Sequence, residues 1–179
     1  MLRDMRSWMG ILLALSFVFA WQTGTWADGK GPLAAEKTLA DDGSPRISAG
    51  DRCPVCGMFP AKRPKGAAAM VLGDGRCFYF CGNGCLLRTY HHPQRYLGVA
   101  GDGIQQMVVK DYFTGAPLNA HQAWWVAGSD VVGPMGPAIV ALKSQQAVDS
   151  FRSRHGGKLV FRLDQMDEDL WNRILPPKK

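Results

Sequence analysis

Four of the five cysteines in this chain form two close pairs. Cys53 and Cys56 stand two residues apart in "DRCPVCGMFP", and Cys81 and Cys85 stand three apart in "FYFCGNGCLLRTY". With Cys77 between the pairs, all five fall within 33 residues. This crowding constrains the fold more than any other feature. A disulfide scaffold spreads its cysteines and uses an even number, whereas clustered thiols point to a metal or redox site. A C-x-x-C turn lets two sulfurs face one point. Cys81 and Cys85, read at the start of a helix, lie on one face of it, where the helix N-terminus favours thiolate over thiol. A knuckle, a hairpin and a helix start would converge four sulfurs on one ion, a treble-clef-like arrangement with tetrahedral S4 geometry.

Three chemistries fit the first pair. Zinc suits four thiolates. Cu(I) suits a set that includes the thioether of Met58, because soft donors select soft ions. A redox dithiol of thioredoxin type sits after a strand at a helix start. Here no strand precedes Cys53, and Gly57 and Pro60 oppose a helix at that point. Cys77 falls in a strand and reads as core. Met135 in "GPMG" is either a hydrophobic plug or an exposed soft ligand. His155 ends a helix before two glycines, where its charge suits the helix C-terminus. His91 and His92 close another helix, and His121 sits in a turn. Beyond a thiol–disulfide oxidoreductase, the less favoured alternative, no acid–base pair, nucleophile elbow or phosphate loop suggests other enzyme chemistry.

The N-terminus carries Arg3 and Arg6, then the apolar run "ILLALSFVFAW", then small residues ending at Ala27. Residues 1–27 read as a secretory signal peptide, too short in apolar length for a comfortable span, which takes about 20 residues. Their removal leaves 19 basic and 14 acidic side chains, a net charge of +5. Export to the periplasm and the lack of a long basic block argue against nucleic acid. A mildly basic surface suits an acidic partner or lipid headgroups, so membrane association stays open. No cysteine follows the apolar run before Cys53, so no lipid-bearing cysteine is evident.

Residues 28–50 lack periodicity and read as a flexible leader. From Asp51 onward the pattern repeats. "AAAMVL" and "RCFYF" form a hairpin through "GDG", "GNGCLLRTYHH" is a helix that stops before Pro93, and "IQQMVVKDY" is a strand. After the turn-rich "FTGAPLN" come the strand "AWWVAG", the long turn "SDVVGPMG" and the strand "PAIVAL". A helix capped by Ser144 and stopped at Gly156 follows, then the strand "KLVFRL" and a short helix in "DEDLWNRIL". The expected fold is α+β, made of two related ββαβ units at 51–115 and 116–175, the first treble-clef-like around the cysteines.

Taken in order, "CPVCGM", "VVKDYFTGAPLNAHQAWWVAGSD", "GPMG" and "FRSRHGGKLVFRLDQM" resemble the NosL-type accessory proteins of nitrous oxide reductase, over residues 51 to about 170. The resemblance implies an exported Cu(I)-binding metallochaperone, not an enzyme, that delivers copper to a copper enzyme or to the membrane complex that matures it. Carried over by residue, the soft pair falls on Cys56 and Met58, with Met135 and His155 as candidates for a third donor. Members of that family are often lipoproteins. The segment "FYFCGNGCLLRTY" is similar to the small cysteine-rich metal-sensing modules of the TRASH and YHS type, which adds Cys53, Cys81 and Cys85 to the candidate donors and keeps a structural zinc site as the alternative.

Overall fold

The computed structural model describes residues 31–175. The signal peptide read over residues 1–27 lies outside them. The described residues fold as a mixed α/β protein with two antiparallel sheets, a small hairpin and four α-helices.

The first sheet starts from the hairpin of β1 (Ala68–Leu72) and β2 (Cys77–Phe80). Asp74 fastens its turn by accepting from the Arg76 N–H at 3.0 Å. β3 (Ile104–Lys110) pairs on the other side of β1, and β4 (Pro117–Asn119) pairs with β3, giving the order β2-β1-β3-β4. β4 lies within the segment assigned from sequence to the second unit, yet it belongs to the first sheet. The reason is local. Asp111 folds the connecting turn by accepting from Thr114 N and Oγ1 at 3.0 and 2.7 Å, so the chain returns beside β3.

Every residue of β1 is buried, which requires cover on both faces of the sheet. Ala68, Met70 and Leu72 face the main core. Ala69 and Val71, with Cys77 and Tyr79 of β2, face Ala35, Leu39 and Ile47. The leader expected to be flexible is therefore held, from Ala35 to Ile47, as an irregular strap over the sheet. The Tyr79 hydroxyl ties it down, donating toward the carbonyls of Lys37 and Thr38 (2.8 and 3.0 Å) and accepting from Arg46 N–H at 3.0 Å. Burial pushes the Cys77 thiol and the Tyr79 phenol above their ordinary ranges.

Between β2 and β3 run α1 (Asn83–His91) and α2 (Pro93–Leu97). Pro93 ends the first helix as expected and also opens the second, because a helix's first position needs no N–H.

The second sheet has the order β8-β5-β9, from β5 (Trp124–Ser129), β8 (Val140–Leu142) and β9 (Gly156–Phe161). Its central strand is again the first in sequence, and α3 (Gln145–His155) connects β8 to β9. Ser144 caps α3 by accepting from Ala147 N at 3.2 Å. Ala147, Val148 and Phe151 of α3 pack on Val126, Val140 and Leu142. The opposite face, through Trp125, Ala127, Ala141 and Phe161, joins the same core as Met70, Phe78 and Phe80. One continuous core thus binds both sheets. α4 (Glu168–Ile174), capped by Asp167, closes over it with Trp171.

The segment expected as one long turn is instead a hairpin, β6 (Val132–Gly133) with β7 (Gly136–Pro137). Pro134 and Met135 form its tip. Gly136, at φ 105°, takes the left-handed backbone that this tight return requires.

Candidate metal centre

The first pair of thiols sits on a closed loop. Cys53 N–H donates to the Met58 carbonyl and Gly57 N–H to the Cys53 carbonyl, both at 2.8 Å. Gly57 takes φ 71°, a conformation open to glycine at little cost, and this turns Cys56 back toward Cys53. The second pair straddles a junction. Cys81 follows the last residue of β2, and Cys85 lies in the first turn of α1, whose N–H reaches the Gly82 carbonyl at 3.1 Å. The expectation that both cysteines lie on one helical face is corrected here. Cys81 precedes the helix, because Gly82 holds extended backbone before Asn83. The two sulfurs still meet, at 3.7 Å.

All four sulfurs lie within 4.8 Å of one another. Cys56 Sγ is 3.4 Å from Cys81 Sγ and 3.9 Å from Cys85 Sγ. These are not disulfides, whose sulfurs sit about 2.05 Å apart, and all four thiols are free. A tetrahedral ion with bonds of about 2.3 Å to sulfur has sulfur–sulfur edges of about 3.8 Å. The cluster matches that size, so these donors fit one soft ion. Cys53, Cys81 and Cys85 are buried, and Cys56 is half-buried.

Proton sharing polarises the cluster. Hydrogen bonding from Cys81 and, next, Cys85 to the charged form of Cys53 holds its thiol well below the ordinary range. The same bonds keep their own protons in place. Cys81 is pushed up to about 12, chiefly by its bond to Cys53, and Cys85 is pushed up as well, by Cys53 and then Cys81. Without a cation, one thiolate is stabilised by two thiols; a second thiolate at this distance would meet strong like-charge repulsion.

The remaining candidates lie around this centre. Met58 is 37% exposed at the end of the thiol loop, and its backbone, through the carbonyl, closes that loop. Met135 is 57% exposed, which decides between plug and exposed thioether in favour of the latter. It lines an open groove of about 730 Å³ that also reaches Cys81 and Cys85. Its hairpin rests against the start of α1, so that a Cβ on Gly82 would come 3.5 Å from Pro134 Cδ. His155 is engaged elsewhere. Its Nδ1 pairs with Asp130 Oδ1 at 2.9 Å, its Nε2 meets the Tyr112 hydroxyl at 3.3 Å, and its ring packs on Phe151. Cys77 lies with the strap-side cluster, apart from the four thiols. The Asp130–His155–Tyr112 chain went unread in the sequence, although "KDY" and "SD" stand in the quoted blocks.

A mixed α/β scaffold that gathers four free thiols around one point has the build of a protein able to hold a metal on thiolates. The NosL family model matches residues 45–171, and the chain belongs to the NosL family. It is 29% identical over 127 residues to the copper-binding lipoprotein NosL of Stutzerimonas stutzeri, a match that covers 67% of this chain and 64% of that protein. Its fold is similar to the crystal structure of the copper chaperone NosL from Shewanella denitrificans, with a TM-score of 0.59, 22% identity, and coverage of 73% of this chain and 99% of that one. The solution structure of apo-NosL from Achromobacter cycloclastes matches at a TM-score of 0.45 and 20% identity, over 62% of this chain and 90% of that one. No helix among the described residues is long and apolar enough to cross a membrane.

Proposed function

We propose that this chain is an exported, periplasmic metallochaperone that binds Cu(I) at Cys53, Cys56, Cys81 and Cys85 and hands it to a copper enzyme. The observation that carries this reading is the convergence of four free thiols within 4.8 Å. Cu(I) is soft and takes thiolate donors readily. The donors are unequal in access: Cys56, the least buried of them, lies beside the exposed Met58, so an incoming ligand reaches the ion from that side. Met135, exposed on the groove wall, offers a second soft donor along the exit path. Family membership supports nitrous oxide reductase, or the membrane complex that matures it, as the recipient. The resemblance of the two halves supports a finer reading of the fold as two related ββαβ units, the first treble-clef-like; both central strands come first in sequence, and both crossovers are helical.

The experiment is a Cu(I) competition titration with a chromophoric chelator. The double variant Cys56→Ser, Met58→Ala is expected to lose affinity by orders of magnitude, and unchanged affinity would refute the site.

A second reading, a structural zinc module for protein interaction, has its own support. Three of the four thiols are buried, and structural zinc sites are closed S4 sites. It predicts one zinc per chain after purification without added metal, and unfolding when a chelator removes it. A chain that purifies free of zinc and stays folded speaks for the copper reading.

A further inference from the structure

We infer that the groove beside the thiols docks an acidic, apolar-anchored segment of the protein that exchanges metal with this chain; this rests on the transfer reading above. The groove has walls of opposite character. One wall carries Lys62, Arg63, Lys65 and Lys110, and among the described residues no Asp or Glu lines the groove. None of these four cations forms an ion pair among the described residues. Their loop is fixed, because Arg63 N–H donates to the Pro60 carbonyl and Gly66 N–H to the Arg63 carbonyl. Lys110 Nζ donates to the Pro64 carbonyl at 2.7 Å, which brings a fourth charge to the same turn. The facing wall is the β6–β7 hairpin, where Val132 is 77% exposed and Met135 57% exposed. Cys81 and Cys85, both buried, are among the residues that line this groove.

This layout specifies the partner's chemistry. Clustered cations in a cleft focus the field and speed the approach of anionic surfaces. An ion held by several thiolates leaves the centre negatively charged, so an acidic partner could not approach it without that screen. A small anion would use only the cations and leave Val132 and Met135 in water. An acidic segment with an apolar side chain satisfies both walls, and methionine adapts to such contacts.

The test is a two-dimensional NMR titration of the ¹⁵N-labelled chain with a short peptide of alternating Glu and Leu. A Lys and Leu peptide and vesicles of phosphatidylserine in phosphatidylcholine serve as the other arms. The expected result is that the acidic peptide shifts signals of residues 62–66 and 131–139. The variant Lys62→Glu, Lys65→Glu should bind it about tenfold more weakly or worse, as should raised salt. Shifts spread over the surface, equal binding by the basic peptide, an unaffected variant, or binding to the vesicles in place of the peptide overturns the inference. Cu(I) loading is read separately. A chain that docks the peptide but binds no copper refutes the transfer reading, and one that loads copper but docks nothing refutes the groove alone.

Discussion

The protonation pattern of the thiols predicts how metal affinity depends on pH. In the metal-free cluster hydrogen bonding draws negative charge toward Cys53 and pushes Cys81 and Cys85 above the ordinary thiol range. An ion ligated by Cys81 and Cys85 must expel both protons, whereas Cys53, held well below the ordinary thiol range, adds little to the proton release near neutrality. Each proton expelled adds about 1.4 kcal/mol of apparent binding free energy per pH unit, a tenfold change in affinity. A Cu(I) ion held by both thiols should therefore gain about a hundredfold in apparent affinity per pH unit around neutrality. The perturbation is Cys81→Ser, which removes one of the two protons. Its affinity should climb about tenfold less per pH unit than that of the wild type, whatever Cys56 adds to both. The assay is anaerobic competition against a chromophoric chelator at three pH values, corrected for the chelator's own protonation. If copper were held by Cys56 and Met58 without the second pair, wild type and variant would show the same pH dependence, and the four-thiol reasoning would fail.

Three further outcomes follow from the packing. Gly157→Ala should destabilise the fold by about 3 kcal/mol, read from the urea midpoint, because its φ of 134° opposes a side chain and an added Cβ would come 2.5 Å from Val126 Cγ1 in the central strand β5. Cys77→Ala should leave Cu(I) stoichiometry and affinity unchanged in the same titration, since Cys77 belongs to the strap-side cluster, apart from the four thiols. Ser144→Ala should cost about 1 kcal/mol in denaturant unfolding through loss of the α3 cap.

Much of the site was legible from spacing. A C-x-x-C loop and a second pair at a strand–helix junction bring sulfurs together through local geometry, and local geometry is what a single sequence encodes. The place of Cys81 outside the helix was not legible, because it depends on the extended backbone at Gly82. The strap over β1 and β2 was hidden for a different reason. Residues 31–50 have no period, and their anchor is a hydrogen-bonding phenol more than thirty positions away, Tyr79. The all-apolar reading of β1 held the clue, since a strand buried on both faces needs a second cover. The β6–β7 hairpin escaped because glycine and proline mark a turn without saying that two-residue strands flank it. His155 was singled out by its place before two glycines. Its partners Tyr112 and Asp130 come from other elements, and only the fold assembles them.

The central claim is that one ion is held by sulfur from both cysteine pairs. X-ray absorption at the copper edge of the Cu(I)-loaded chain tests it most directly. A site shared by both pairs gives a first shell made of sulfur alone, which changes in Cys81→Ser as well as in Cys56→Ser. A nitrogen donor in that shell, or a spectrum untouched by Cys81→Ser, would contradict it.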